Sequence, residues 1–350
     1  MKAIVHIGCH KTGTTAIQTW LGINRAALSA QGFRYDRFDG KGWASPTNQG
    51  QFVIALFTRF GKPIGAADFN RSHAIRDMES QIAIARKFES DLGAAIRADG
   101  DTYLISCEHL STWAGGAGGI GILDAWLSSL FCEVRYVMYL RRPDIWLASR
   151  YSQGVKDGTL TVSLAEYIRQ HKHCRYGRLV SGWARGVGRD RFDLRIFDET
   201  WLQDDGLIDD FAAAIGADPR GMKPPGRRNL SVTAAEAETA LRRNRGHAAP
   251  LQAALWPRAL RWLRNRWSAP QKLALSAEQT AEIWQANAAG VAWVHRNFFP
   301  GRAALFGFAE PPRAVYESPV DKAAPAAARP DRRRAPGLQA LRTGLQALRK

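Results

Sequence analysis

Short apolar runs alternate with helical segments along the first part of the chain, and this alternation constrains the fold more than any other feature. The apolar runs are brief and rich in Val, Ile, Leu, Tyr or Phe, as buried strands are; they cover residues 3–8, 102–106, 134–140 and 192–197. Segments with helical spacing lie between them, at residues 14–29, 120–130 and 144–155. This order implies right-handed crossovers, and it predicts an α/β fold with a mostly parallel central sheet flanked by helices in three layers.

The helical pattern dominates the second half of the chain. It recurs at residues 164–170, 178–187, 207–215, 233–245 and 277–298, which predicts one domain over residues 1–320. From residue 321 the composition changes to Ala, Pro and Arg, which bury too little to fold, so residues 321–350 are expected to form a disordered basic tail. The tail ends in a near-repeat, GLQALRT and GLQALRK, whose leucines would share one helical stripe. An amphipathic helix that orders on contact therefore stays an alternative to a solvated tail.

The charge of the chain is concentrated in two places. The 350 residues carry a net charge of +17, and 45% of them are hydrophobic, which is enough for a sizeable core and excludes an acidic disordered chain. Residues 1–219 hold 26 basic and 24 acidic side chains, whereas residues 220–270 hold 11 and 2, and residues 321–350 hold 8 and 2. A nearly neutral body with a basic segment and a basic tail indicates an anionic partner that is met locally.

The cysteines and the first apolar run bear on the compartment. The four cysteines are scattered without a CxxC pair; they are Cys9, Cys107, Cys132 and Cys174. This pattern favours neither a zinc site nor a disulfide framework, and it fits a reducing, cytoplasmic compartment. The first apolar run is too short for a signal peptide and is expected to be a buried strand. No apolar stretch approaches the roughly 18 residues that a membrane span needs.

A loop rich in Gly and Thr follows the first predicted strand. Residues 8–15 have the sequence GCHKTGTT, which supplies backbone N–H groups at a helix N-terminus, two glycines, three hydroxyls and one ammonium. These are the parts of an anion cradle. In the GxxxxGK[ST] loop of nucleotide hydrolases a lysine follows the second glycine directly, but here that place holds Thr14 and the lysine is Lys11. The pattern therefore predicts a phosphate site without a triphosphate chain or an obligatory magnesium ion.

A second motif, at the end of the third long apolar run, joins this loop. Arg141 stands at a predicted strand end, Pro143 suits the first turn of a helix, and Ser149 lies eight residues after Arg141. With the run Lys11-Thr12-Gly13-Thr14-Thr15, this pair of motifs resembles the sulfotransferases that use 3′-phosphoadenosine 5′-phosphosulfate, in particular their bacterial, carbohydrate-type members. Similarity extends over roughly residues 3–308 and includes blocks at residues 149–153, 176–183, 195–199, 209–211 and 293–300.

The resemblance implies a P-loop-like fold and a division of labour among residues. The first loop would bind the 5′-phosphosulfate through His10, Lys11, Thr12, Gly13, Thr14 and Thr15. Arg141 and Ser149 would bind the 3′-phosphate, with Arg228 and Asn229 as a loose counterpart of a later family motif. Lys11 would stabilise the bridging oxygen of the leaving phosphate, the product would be adenosine 3′,5′-bisphosphate, and no metal would be needed.

The general base is expected at the end of the second apolar run. Sulfuryl transfer needs a group that accepts the proton of the acceptor, and strand ends in open α/β sheets converge on the ligand crevice. Family members use either Glu or His, and this chain offers both, Glu108 and His109, side by side. We favour Glu108, which matches the Ser-x-Glu of bacterial relatives, and keep His109 as the alternative.

The acceptor and the adenine contacts are less well defined. The aromatic residue that often stacks on adenine in the family is Ala16 here, and Trp20 lies one turn further along. Residues 33–97, with Tyr35, Trp43 and Phe52, are expected to build the acceptor wall. The acceptor would be a glycan or a small hydroxylated molecule that is sulfated on a hydroxyl or an amine.

The basic segment suggests further partners. Residues 255–267 have an apolar stripe and a basic face, so they form either an interfacial helix at an anionic membrane, on its inner face, or an ordinary helix with a solvated side. Nucleic-acid binding is a rival explanation of the charge, which the absence of a known reader motif disfavours. A P-loop kinase or another nucleotide-binding protein is the enzymatic rival.

Overall fold

Five parallel strands form one sheet in the part of the chain that the computed structural model describes, residues 1–38, 48–97, 100–114, 118–198, 202, 206–226, 234–246 and 273–307. The sheet order is β2-β3-β1-β4-β5, with β1 at Lys2–His6, β2 at Phe33–Arg34, β3 at Thr102–Ser106, β4 at Val134–Arg141 and β5 at Phe192–Phe197. Four of these strands were predicted, whereas β2 has two residues and leaves no periodicity in the sequence. The α/β expectation is confirmed.

Thirteen helices are described along with these strands. Their bounds are α1 Thr14–Ile23, α2 Arg25–Ser29, α3 Gln51–Arg59, α4 Ala67–Ser72, α5 Met78–Ile96, α6 Leu110–Trp113, α7 Gly119–Leu130, α8 Pro143–Lys156, α9 Leu164–His171, α10 Tyr176–Val187, α11 Leu207–Ile215, α12 Ala234–Asn244 and α13 Ala277–Phe298. The expectation of a largely helical second half is confirmed, since β5 is the single strand described after β4.

The sheet separates two hydrophobic cores, as alternate side chains of each strand require. Ala3 and Val5 of β1 face the larger core, which α3, α5, α7, α10 and α13 cover, whereas Ile4 faces the smaller one beneath α1, α2 and α11. A third cluster joins α8, α9, α12 and α13 away from the sheet. The three-layer arrangement is thus built from strands that are apolar on both faces.

One sequence-based expectation about a helix was wrong, and three helices were not predicted. The helix expected over residues 14–29 is divided at Asn24, whose side-chain amide donates hydrogen bonds to the carbonyls of Trp20 and Lys223, both at 2.9 Å. The region before β3 contains three helices that the periodicity did not reveal. The longest, α5, begins at a capping box in which Asp77 accepts from the N–H of Ser80.

Register brings the carboxyl ends of the three central strands to one edge of the sheet. His6 of β1 lies opposite Ser106 of β3 and Val137 of β4. The segments after β1 and β3 therefore start side by side, and β4 continues along this edge to Arg141. Ligands bind at such an edge in open α/β sheets.

The predicted boundary at residue 320, the basic tail and residues 255–267 lie outside the described residues. Across the described ranges, every helix is too short or too polar to pass through a lipid bilayer.

Candidate functional site

The loop after β1 is held in a shape that few residue types allow. Gly8, Lys11 and Gly13 have φ angles of +41°, +67° and +81°, in the left-handed region. Lysine rarely adopts this region, so the conformation at Lys11 is held by the surrounding contacts. Thr12 is fully buried, and its hydroxyl donates to the carbonyl of Cys9 at 2.6 Å, which braces the loop from within.

The loop ends where α1 begins, as the sequence predicted. Gly13 precedes α1, and a Cβ atom at that position would lie 2.1 Å from Leu207 Cδ2, so glycine is required by space as well as by φ. Thr14 is buried in the first turn, and Thr15 is half-buried beside it. The free N–H groups of a helix N-terminus therefore follow directly on the loop.

Lys11 is half-buried, and its ammonium is anchored. Its Nζ donates to Gln153 Oε1 on α8 at 2.9 Å, and Gln153 Nε2 in turn donates to Oδ1 of Asp157, the residue after α8, at 2.6 Å. Burial lowers the pKa of Lys11, and the negative charges of Glu108 and Asp157 oppose that effect. Ser149 is half-buried one turn before Gln153 on α8, so both lie on one face of the helix.

Glu108 lies beside this loop because β1 and β3 are neighbours. A Cβ atom at Gly8 would lie 3.5 Å from Glu108 Cα, and Glu108 Oε1 lies 3.6 Å from His10 Nδ1. Burial acts to raise the pKa of Glu108, but the interactions with His10, His109 and Lys11 outweigh it, so that the pKa is below its usual value. The carboxyl is therefore ionised at neutral pH, as a general base must be.

His109 occupies an aromatic enclosure. Its ring centroid lies 4.8 Å from that of Trp113, 5.2 Å from that of Phe69 and 5.3 Å from that of His10. Its Nδ1 is buried and has no hydrogen-bond partner among the residues that the structure describes. Burial, helped by the charge of His10, lowers the pKa of His109 to about 4, so the imidazole is neutral at neutral pH.

Arg141 reaches the loop from the end of β4. Its Nη1 donates to the carbonyl of Lys11 at 3.0 Å, and its guanidinium lies 5.0 Å from the ring centroid of Phe197. The carbonyl of Arg141 accepts from the hydroxyl of Tyr176 at 2.6 Å, which fixes the strand end. A half-buried guanidinium thus lies beside the phosphate-type loop.

The structure brings together the predicted residues of the loop, Glu108, His109, Arg141 and the face of α8 that carries Ser149. Arg228 and Asn229 lie outside the described residues. Gln153, Phe197 and Tyr176 contact the site without having been predicted as site residues. Gln153 could have been found from its spacing, four residues after Ser149 on the same helix.

The expectation of an acceptor wall was wrong for Tyr35 and Phe52, and Trp20 does not replace the stacking residue that Ala16 lacks. Trp20 is 1% exposed and packs edge-on against Phe211 in the smaller core, so it is not placed to stack on adenine. Tyr35 and Phe52 are also buried, Phe52 in the larger core and Tyr35 in the smaller one, so they do not form an acceptor wall. Trp43 lies outside the described residues. Phe69 and Trp113 are the aromatic residues that adjoin His109.

Metal ligands do not converge in the described ranges: no group of three His, Cys, Asp or Glu side chains there could hold a metal ion. All four cysteines are described, and all are free thiols.

Comparison with solved structures gives a remote likeness. A sulfotransferase from Alicyclobacillus acidocaldarius, solved by crystallography, is 16% identical, with 70% of this chain and 96% of that chain covered and a TM-score of 0.38. A likeness at this distance carries no argument about activity. No protein-family model matches the chain, and no curated protein matches it.

Proposed function

We propose that this chain is a sulfotransferase that moves a sulfuryl group from 3′-phosphoadenosine 5′-phosphosulfate to a hydroxyl or amine of an acceptor, with a glycan as the favoured class. The observation that carries the proposal is that Lys11, Glu108 and Arg141 come from three different strand ends and meet around one phosphate-type loop. An anion cradle, a carboxylate base and a second cation are the groups that sulfuryl transfer requires.

In this mechanism the acceptor oxygen attacks the sulfur atom of the donor. Glu108 takes the proton of the acceptor hydroxyl as the new O–S bond forms. The bond between sulfur and the bridging oxygen of the 5′-phosphate breaks, and adenosine 3′,5′-bisphosphate leaves. Lys11 stabilises the negative charge that develops on the bridging oxygen, and the N–H groups at the start of α1 hold the 5′-phosphate.

Arg141 and Ser149 serve the 3′-phosphate in this proposal. Arg141 is placed beside the loop through its hydrogen bond to the carbonyl of Lys11, and Ser149 lies on the face of α8 that also carries Gln153. A guanidinium forms two parallel hydrogen bonds to a phosphate, which gives both affinity and orientation. Arg228 and Asn229 remain proposed contacts of the same phosphate.

We favour Glu108 over His109 as the general base. The Glu108 carboxylate is about a quarter exposed, with a side-chain exposure of 27%, so an acceptor can reach it. The Nδ1 atom of His109 is buried, and the ring is enclosed by Phe69 and Trp113. We assign His109 to the wall beside the acceptor, where aromatic rings suit the apolar face of a sugar or another hydroxylated molecule.

The proposal is tested with a donor labelled with sulfur-35. The protein is incubated with this donor and a panel of sugars, glycans, amines and simple alcohols, and the label is followed into the acceptor. Transfer that disappears in Glu108→Gln supports the proposal. Label that stays in the donor under every condition, with no transfer to any acceptor and no release as sulfate, contradicts it.

A surface role is proposed for the two basic regions. Residues 255–267 or the tail would place the enzyme at an anionic membrane, on the cytoplasmic side. Flotation with anionic vesicles at low salt tests this, and absence of binding rejects the membrane role without affecting the proposed reaction.

A further inference from the structure

His10 contacts the proposed base through its side chain, which its place in the phosphate-type loop did not indicate. His10 Nδ1 lies 3.6 Å from Glu108 Oε1, and the side chains are 26% and 27% exposed. This separation is longer than a hydrogen bond, and hydrogen bonds at a catalytic base are often long before a substrate is bound.

We propose that His10 is a positioning residue, whose imidazole holds the Glu108 carboxylate in the orientation that accepts the proton of the acceptor. This inference rests on the proposed sulfotransferase function and extends it. It gives the third residue of the loop a task in proton transfer, alongside the task of the loop in binding the donor.

The backbone enforces the contact. β1 and β3 are adjacent and in register, so that His6 lies opposite Ser106, and the two segments that follow leave the sheet together. The His6 imidazole and the Ser106 hydroxyl are joined by a buried hydrogen bond of 2.9 Å, which fixes the two strand ends. Gly8 lies against Glu108, since a Cβ atom at Gly8 would be 3.5 Å from Glu108 Cα, and His10 follows two residues later, directly before the left-handed Lys11.

The surroundings of Glu108 leave His10 as its principal partner. Several titratable groups interact electrostatically with Glu108. They lie on β1, in the loop after β1 and in the segment after β3, and they are His6, Cys9, His10, Lys11, Cys107 and His109. The Lys11 ammonium is bound to Gln153, and His6 is buried with its Nδ1 bound to Ser106. His10 is thus the partner that can orient a Glu108 oxygen.

The pKa of Glu108 also indicates an interaction with His10. A carboxyl as buried as Glu108 would ordinarily have a raised pKa, yet the pKa of Glu108 is lowered, and the interactions with His10 lead the causes that oppose burial. The contact with the His10 side chain therefore favours the ionised form of the Glu108 carboxyl. Loss of the imidazole removes both the orientation and this stabilisation.

Two substitutions separate the two effects. His10→Asn places an amide N–H where Nδ1 stood and keeps a neutral donor, whereas His10→Ala removes the contact. The Glu108 pKa is measured by NMR of carboxyl-labelled protein, with Glu108→Gln to assign the signal. The rate and pH profile are measured from the hydrolysis of 3′-phosphoadenosine 5′-phosphosulfate, for which water is the acceptor. His171→Asn, on α9 and outside the site, is the matched control.

We expect the pKa of Glu108 to rise by about one unit in His10→Ala, and the acidic limb of the hydrolysis profile to rise with it. The rate should fall about 10- to 100-fold in His10→Ala and by much less in His10→Asn, because the amide restores the orientation. His171→Asn should leave the rate, the pH profile and the Glu108 signal unchanged.

An unchanged pKa of Glu108 in His10→Ala, or an equal loss of rate in the two His10 variants, would overturn the inference. Binding of adenosine 3′,5′-bisphosphate by the wild-type protein distinguishes failure of the His10 role from failure of the proposed function. Intact binding together with either of those results rejects the role of His10 alone. Absence of binding in the wild type rejects the proposed function and this role with it.

Discussion

The ammonium of Lys11 and the amide oxygen of Gln153 are joined by a 2.9 Å hydrogen bond that ties the loop after β1 to helix α8. Without this bond, the side chain of Lys11 could adopt many rotamers at the edge of the site. The bond to Gln153, itself bound to Asp157, selects one of them. The cation is therefore preorganised beside the phosphate-type loop before a ligand arrives.

Replacement of Lys11 by Ala should lower turnover about 100- to 1,000-fold, because one preorganised donor at the developing charge is lost. The rate of sulfur-35 transfer or donor hydrolysis measures this. Lys87→Ala is the matched control, since Lys87 is exposed on α5 and paired with Asp91. A Lys11→Ala protein that folds and turns over at the wild-type rate would remove Lys11 from the mechanism.

Glu108→Gln should lower turnover by a similar factor, because the amide cannot accept the proton of the acceptor. His109→Asn should lower it far less, since the Nδ1 of His109 is buried and its ring forms part of a wall. Single-turnover transfer rates of the two variants give the comparison. If Glu108→Gln keeps near-wild-type turnover while His109→Asn does not, His109 is the base.

Gly13→Ala should destabilise the protein more than Gly216→Ala does. Both glycines have a φ of +81°, but a Cβ at Gly13 would lie 2.1 Å from Leu207 Cδ2, whereas nothing lies within 4 Å of a Cβ at Gly216. Left-handed strain alone costs about 1 kcal/mol at either position. The additional loss of stability in Gly13→Ala therefore measures the cost of displacing Leu207. Urea unfolding gives both values, and equal losses would contradict the packing described at Gly13.

Arg141→Gln should weaken binding of adenosine 3′,5′-bisphosphate about 10- to 100-fold, the size of a lost charge-assisted hydrogen bond. Adenosine 5′-phosphate should lose much less affinity, because it lacks the 3′-phosphate. Calorimetric titration of both nucleotides gives the ratio. Equal losses would show that Arg141 acts through its bond to the Lys11 carbonyl, as a brace of the loop.

The free energy of unfolding should fall as the pH falls from about 6.5 toward 4. Burial lowers the pKa of His6 to about 4, so the folded protein keeps it neutral while the unfolded chain takes up a proton below about pH 6.5. The protein keeps its full free energy of unfolding above about pH 6.5. It loses about 3 kcal/mol through this histidine as the pH falls toward 4. His6→Asn keeps a donor near Ser106 and should flatten the slope in urea unfolding. An unchanged slope would contradict the burial of a neutral His6.

The fold was largely predictable because its strands are apolar on both faces and its loop is rich in Gly and Thr. β3, β5, α11 and α13 have the bounds that the sequence indicated. The two-residue strand β2 and the break at Asn24 were not predictable, since the first has no periodicity and the second depends on a contact with Lys223, 199 residues away.

The site was predictable in its residue types and less so in its contacts. Lys11, Glu108 and Arg141 follow strand ends, which the topology brings together. That His10 points to Glu108 depends on the register of β1 and β3, which the residue pattern does not contain. The buried positions of Tyr35, Phe52 and Trp20 depend in the same way on which face of the sheet each one meets.

Thermal unfolding of the wild-type protein with adenosine 3′,5′-bisphosphate and a metal chelator tests the proposed nucleotide site. A site for a doubly phosphorylated nucleotide should raise the Tm in a concentration-dependent manner without metal, by the linkage between binding and folding. Duplex DNA should not raise it comparably. Stabilisation by ATP with magnesium, and none by adenosine 3′,5′-bisphosphate, would contradict the proposed sulfotransferase and favour a nucleotide hydrolase or kinase.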